Sequence, residues 1–226
     1  PGQPLPAGGI YNSNRFVLNA LLRRLGCEVL DLGIVPDSRE ATRQALREAA
    51  KGADLIISAG GVSVGEEDHV RPAVEAEGQI DLWRVAIKPG RPLAYGRVGR
   101  HGPEGARAAV PGSFAHFIGL PGNPVSAFVT FLLFVRPFVL RLQGIQAVEP
   151  QAVTLISGFD WTNPDRRHEF LRAVQLPDGR LGLFRHQGSA VLTSAVVGHG
   201  LIDNPPGQVI RQGDAVRFLS FAELLN

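Results

Sequence analysis

The sequence predicts an α/β chain, a parallel sheet flanked by helices, followed by a small all-β domain. Three observations predict it. Apolar runs of strand length alternate with helical patterns between residues 12 and 142, which argues for βαβ units. Glycine-rich bends follow several of those runs, where open α/β sheets bind their ligands. Beyond residue 150 the pattern changes to short alternating segments punctuated by Pro177-Asp-Gly179 and Gln212-Gly-Asp214, the signature of a barrel or sandwich.

The elements follow in order. Asn12 or Ser13 caps a helix whose apolar face is Phe16, Val17, Ala20, Leu21 and Leu25 and whose stop is Gly26. A strand is expected at 28–32. Asp37, three residues before Glu40, opens a second helix in capping-box spacing, running through Ala50 to about Gly52. Residues 54–58 read as a buried strand, 70–77 as a short helix, and 81–87 and 92–98 as strands. Residues 99–113 are expected to be a mobile surface loop, 114–120 a strand, and 124–142 a long apolar helix that Pro137 kinks or divides. In the second part the strands fall at 153–156, 169–176, 181–186 and 209–218. The division lies at 143–150, giving domains 1–145 and 146–226, and no internal repeat is visible.

Composition narrows the function classes. The 226 residues are 44% hydrophobic and carry a formal net charge of +2. Their Lys and Arg residues form no continuous patch of the kind a nucleic-acid surface requires. Nucleic acid is not an expected partner. The longest apolar run, 128–135, is too short to span a bilayer, and no secretory signal precedes it, so no membrane association is expected. Cys27 is the one cysteine. It excludes an internal disulfide, fits a reducing compartment and reads as a small core residue. The six histidines, at 69, 101, 116, 168, 186 and 199, show no metal-ligand spacing. Ser63 and Ser126 lie in sharp turns but outside a Gly-x-Ser-x-Gly elbow, so covalent catalysis is not the reading.

Three bends carry the chemistry. Ile-Gly-Leu-Pro-Gly-Asn-Pro-Val-Ser at 118–126 breaks on Pro121 and Gly122 and restarts as a helix with Pro124 in its first turn, an arrangement that suits an anion. Gly-Gly-Val-Ser-Val-Gly at 60–65 offers the main-chain N–H groups of Gly60, Gly61, Ser63 and Gly65 as a concavity, or is simply a tight connection. Glu66, Glu67 and Asp68 follow at once. The first two read as a solvated helix start, whereas Asp68, beside a phosphate cradle, is where Mg²⁺ is held or a water positioned. Lys88-Pro-Gly-Arg-Pro92 places two cations three residues apart across a rigid turn, the right pair for a tetrahedral oxyanion, or else two solvated cations beside a β-turn.

Together these blocks resemble the molybdopterin molybdenumtransferases, the gephyrin E-domain-like family. The resemblance is carried by Gly9-Ile-Tyr-Asn-Ser-Asn14, Asp37, 58–68, 87–92 and 119–126, and more loosely by Gly200-Leu-Ile and Gln212-Gly-Asp214 in the β domain. It implies insertion of molybdenum from molybdate into adenylylated molybdopterin with release of AMP, assisted by Mg²⁺, in a cytoplasmic homodimer that can work with a molybdopterin adenylyltransferase. By position, the two glycine loops, with Pro121, Gly122, Asn123 and Pro124, would line the pterin-phosphate pocket. Asp68 would serve the metal or adenylate hydrolysis. Lys88, Arg91 and Ser126 would contact molybdate, joined by Arg167 and Ser189 from the β domain, and Gly90 and Pro92 would be among the cofactor-binding positions. Arg91 stands where many relatives have Lys, keeping the charge but changing its hydrogen-bond geometry. Relatives also carry a strand with a Thr-Gly-Asp-Glu turn upstream of the first block, and two further domains. Without them the sheet is expected to lack a strand, and this piece to transfer metal poorly. Two other functions fit less well: an adenylyltransferase, which lacks a C-terminal β domain, and a non-catalytic scaffold, which has no need of Asp68, Lys88 and Arg91.

Overall fold

The computed structural model describes residues 11–62, 69–100 and 114–225. The predicted loop at 99–113 therefore lies largely outside the described residues. Helix α1 (Ser13–Arg24) starts where Asn12 accepts a hydrogen bond from the Arg15 N–H, and Gly26 follows its end at φ +78°. Its buried side is the predicted one in part, with Phe16 and Ala20 turned outward. Leu18 and Asn14 face inward with Val17, Leu21 and Leu25 beside them, while Phe16 is 55% exposed. Helix α2 (Arg39–Gly52) is capped by Ser38, whose hydroxyl accepts from the Ala41 N–H, so the cap sits one residue after Asp37.

Strand β1 (Leu55–Ala59), helix α3 (Val70–Glu77), strand β2 (Gly78–Arg84), the two-residue strand β3 (Ile87–Lys88), and strands β4 (Pro92–Gly99) and β5 (Phe114–Leu120) complete the first sheet and its flank. The sheet order is β1-β5-β4-β2. It is mixed rather than parallel throughout: β1 and β5 run parallel, but β4 pairs antiparallel with both β5 and β2. The strand expected at 28–32 does not form. A strand exists only with a ladder partner. Among the described residues β1 pairs with β5 alone, and Leu30, Leu32 and Ile34 stand exposed.

The predicted long helix is real and divides near Pro137, as expected. Helix α4 (Pro124–Thr130) passes through a π-helical segment, Phe131–Val135, into α5 (Arg136–Leu142). The wider turn sits directly ahead of the proline, which lacks the N–H that a regular helix would use. At 19 residues and a mean hydropathy of 1.8 this helix is long and apolar enough to cross a membrane, beyond what the 128–135 run suggested, yet 67% of it is buried within the protein. Phe131, Leu132 and Val135 are nearly or fully inaccessible. Each such side chain contributes about 1.5–3 kcal/mol.

The second part comprises β6 (Val153–Ile156), β7 (His168–Gln175), β8 (Leu181–Leu183), α6 (Thr193–Val197), β9 (Gly200–Asn204), β10 (Ala215–Ser220) and α7 (Phe221–Leu224). Strand β9 was not foreseen, and 209–214 is a turn region rather than the start of a strand. The sheet runs β3-β7-β9-β10-β6, with β8 on β7. It is not a closed barrel. Among the described residues its ends meet at the isolated bridge Ser157↔Leu181, where the Gly158 N–H donates to the Leu181 carbonyl at 2.7 Å. The parts are joined: β3 pairs in parallel with β7, and one core contains α4 and π-segment residues together with Phe170, Leu201, Leu219, Phe221 and Leu224.

Candidate oxyanion and pterin site

The bends converge. Ala59 and Leu120 are partners at the ends of β1 and β5, and the Gly60 N–H donates to the Leu120 carbonyl at 2.9 Å. Gly60 (φ +97°) lies so near Gly122 that a Cβ built on Gly122 would sit 3.6 Å from the Gly60 Cα. Buried Asn14 donates its amide to the Gly122 carbonyl at 2.8 Å, tying the first sequence block to this junction. Gly90, at φ +112°, packs the 88–91 turn onto α4; a Cβ there would meet Thr130 Cγ2 at 2.5 Å and the Ser126 carbonyl at 3.6 Å. From the second part, the Ser189 carbonyl accepts the Val125 N–H at 3.0 Å.

The predicted residues are thus placed as follows. Gly60, Gly90, Pro121, Gly122, Pro124, buried Ser126 and half-buried Ser189 surround the first turns of α4. Gly61 and Asn123 are exposed beside them, and the Asn123 side chain makes no cap bond. Pro92 opens β4 opposite Arg84. Because the Val125 N–H is taken by Ser189, one donor of this helix start is unavailable to a ligand. Ser63, Gly65 and Asp68 lie outside the described residues. Among the described residues no group of three or more His, Cys, Asp or Glu side chains is arranged to hold a metal.

Charge is distributed unequally around the 88–91 turn. Lys88 Nζ stands 3.2 Å from Glu169 Oε1 and 3.5 Å from Asp165 Oδ2. Glu169 is fully buried, and its other oxygen accepts from Trp161 Nε1 at 2.8 Å and Asn204 Nδ2 at 3.4 Å. Arg167 grips Asp165 through Nε at 2.9 Å and Nη2 at 2.8 Å. Those bonds and the Arg167 main-chain N–H hold the Asp165 carboxyl well below the usual carboxylate range, and the same pairing raises Arg167. Arg91 is different. It is exposed and its side chain meets no acid among the described residues.

Arg91 and Arg167 share a cleft of about 620 Å³ with Arg84, Val85, Ala86, Asp165 and Arg166. Arg84 and Arg91 flank the narrow end of the β2–β4 hairpin, where the Val85 N–H donates to the Arg91 carbonyl at 3.2 Å. The sequence reading missed Arg84, Asp165 and Arg166. The one available signal was the Asp-Arg-Arg run at 165–167. It also missed Arg172, which is 2% exposed and has no acidic partner among the described residues. Its guanidinium donates to the carbonyls of Gly188 (2.9 Å), His186 (3.4 Å) and Phe170 (3.4 Å), and burial pushes its pKa down to about 10. Gln187 braces the same loop, accepting from the Arg172 N–H at 2.9 Å and donating to the carbonyls of Arg172 and Phe184 at 2.8 Å. The loop that delivers Ser189 is therefore fixed from beneath.

Residues 2–141 match the family described as the probable molybdopterin binding domain. The chain belongs to that family. Residues 154–221 match the MoeA C-terminal region, domain IV. Over 143 residues the chain is 46% identical to the molybdopterin molybdenumtransferase of Haemophilus influenzae, covering 63% of this chain and 32% of that protein. The corresponding protein of Nostoc is 34% identical over 191 residues, 83% of this chain and 41% of the relative. The crystal structure of the molybdopterin biosynthesis MoeA protein from Pyrococcus horikosii superposes with a TM-score of 0.76 at 24% identity, covering 98% of this chain and 51% of that one. That likeness establishes the shared fold. The chain spans about a third to two-fifths of the length of the curated relatives named here.

Proposed function

We propose that this chain inserts molybdenum into adenylylated molybdopterin as part of a molybdopterin molybdenumtransferase, with molybdate as the second substrate and AMP as the released product. The observation that carries the reading is the meeting of four distant bends, at 60–61, 88–91, 121–126 and 189, around one helix start beside an arginine-lined cleft. In this reading the main chain at Gly60, Gly61, Pro121, Gly122 and Asn123, with Ser63 and Gly65, lines the pterin-phosphate pocket. Main-chain N–H groups suit a phosphate because their dipoles are fixed before it arrives. Lys88, Arg91, Ser126, Arg167 and Ser189 hold the tetrahedral dianion, the arginine forks matching pairs of its oxygens.

Asp68 would hold Mg²⁺, whose part is to neutralise phosphate charge as AMP departs. The α/β and β portions divide at 143–150. The assembly is a cytoplasmic homodimer, and an adenylyltransferase supplies the activated pterin. The test is a crystal soaked with tungstate, located by its anomalous scattering. Density within reach of Arg91 and Arg167 is expected, and density elsewhere refutes the assignment. In the full-length protein Arg91→Gln is expected to raise the half-saturating molybdate concentration about tenfold, as loss of a fork on a dianion should.

A further inference from the structure

Two carboxylates face the cations assigned to molybdate, and their surroundings differ. Glu169 sits on strand β7, fully buried, with Lys88, Trp161 and Asn204 all donating to it. It cannot leave without stranding three donors, a costly change in the interior. Asp165 precedes that strand and lines the cleft. Its side chain is 20% exposed, and its partners are Arg167, two residues away, and Lys88. Only the latter contact crosses between the two parts of the chain.

We propose that Asp165 is a tethered competitor for the oxyanion: its carboxylate occupies the Arg167 fork and the Lys88 ammonium, and swings away when a tetrahedral dianion binds them. The inference rests on the oxyanion reading of this cleft. A carboxylate and one edge of a tetrahedral oxyanion present the same two acceptor oxygens to a guanidinium fork, so both cannot use Nε and Nη2 of Arg167 at once. The dianion brings twice the charge of the group it displaces. The departing carboxylate stays within a cleft that also holds Arg84 and Arg166, neither of which has an acidic partner among the described residues. Charge is exchanged within the cleft, and no bare anion is left in a desolvated place.

The alternative is that Asp165 simply aims Arg167 at the ligand, and it predicts the opposite sign. Tungstate binding to this chain by titration calorimetry, in about 0.15 M salt where the Debye length is about 8 Å, separates the two. If Asp165 competes, Asp165→Asn tightens tungstate binding about tenfold, and Asp165→Ser moves it the same way. Asp178→Asn is the charge control. It removes the same charge beyond the far end of the eight-residue strand β7, about 26 Å away at 3.3 Å per residue, and leaves the affinity unchanged. Weaker binding by Asp165→Asn, a change no larger than the control's, or no measurable binding by either chain overturns the proposal. Arg91→Gln and Arg167→Gln isolate the underlying reading. If they weaken binding while Asp165→Asn brings no gain, the oxyanion site stands and the competitor falls; if neither weakens it, both fall.

Discussion

The two parts of the chain build their shares of this site from different materials. The first part presents close-packed main chain, Gly60 against Gly122 and Gly90 against Thr130 and Ser126, at distances that leave no room for a side chain on Gly90, and adds the cations Lys88 and Arg91. The second part presents charge and polar side chains: Asp165, Arg167 and Glu169, with Arg172 and Gln187 beneath Ser189. The glycine contacts of that first share are limited by sterics and indifferent to ionisation. The second is packed less tightly at the cleft but balanced charge against charge, so it responds to protonation and to neutral substitution.

The largest expected effect falls on the main-chain side. Gly90→Val adds a branched side chain at φ +112° where even a Cβ lies 2.5 Å from Thr130 Cγ2. It should cost about 3–4 kcal/mol in a urea melt. A cost below about 1 kcal/mol would show that the turn yields and would break the contrast. Next comes Glu169→Gln. The shape is kept, but an amide must meet the Lys88 ammonium and the Trp161 and Asn204 donors, at about 2–3 kcal/mol in the same melt. Little change would mean that the charge balance is ornamental.

The smallest effect sharpens the contrast by asking whether charge also matters in the first part, away from the site. Buried Glu77 joins α3 to α2 through Arg43 and Arg47 at 2.7 Å each. Burial opposes its charge, but hydrogen bonds from Arg47 and Arg43 outweigh that and hold its pKa below the ordinary value. A depressed carboxylate contributes its stability above its unfolded pKa, near 4.3, and loses it as pH falls through the folded value. Glu77→Gln should therefore be about 1–2 kcal/mol less stable than the parent at pH 7, discounted because both arginines are partly exposed. The gap should narrow as pH drops below about 4. A pH-independent gap would point to packing.

Much of the helical content was legible because its signals are local. Gly26, Asp37 (one residue ahead of the actual cap, Ser38), Pro124 and the apolar spacing of 124–142 act within a turn or two of themselves. The strand at 28–32 failed because its alternation was read without its partner, and β9 was missed because Gly200 and Asn204 look like turn residues until β7 and β10 enclose them. Reversal of β4 against β5 is likewise a fact of pairing, not of either segment. In the site, glycine-rich bends announced themselves. The carboxylates that neutralise Lys88 did not, because 77 to 81 residues separate them from it and only the β3–β7 ladder makes them neighbours.

That same two-rung ladder has a mechanical consequence. Ile87 and Lys88 belong to the second sheet, and the polypeptide returns to the first at Pro92. The site turn is therefore a stitch drawn through both fabrics. Rocking one against the other would drag Gly90 across α4, so hinge motion and an intact pocket are mutually exclusive. A protease nick within 143–150 would yield two peptides that still travel together on a sizing column.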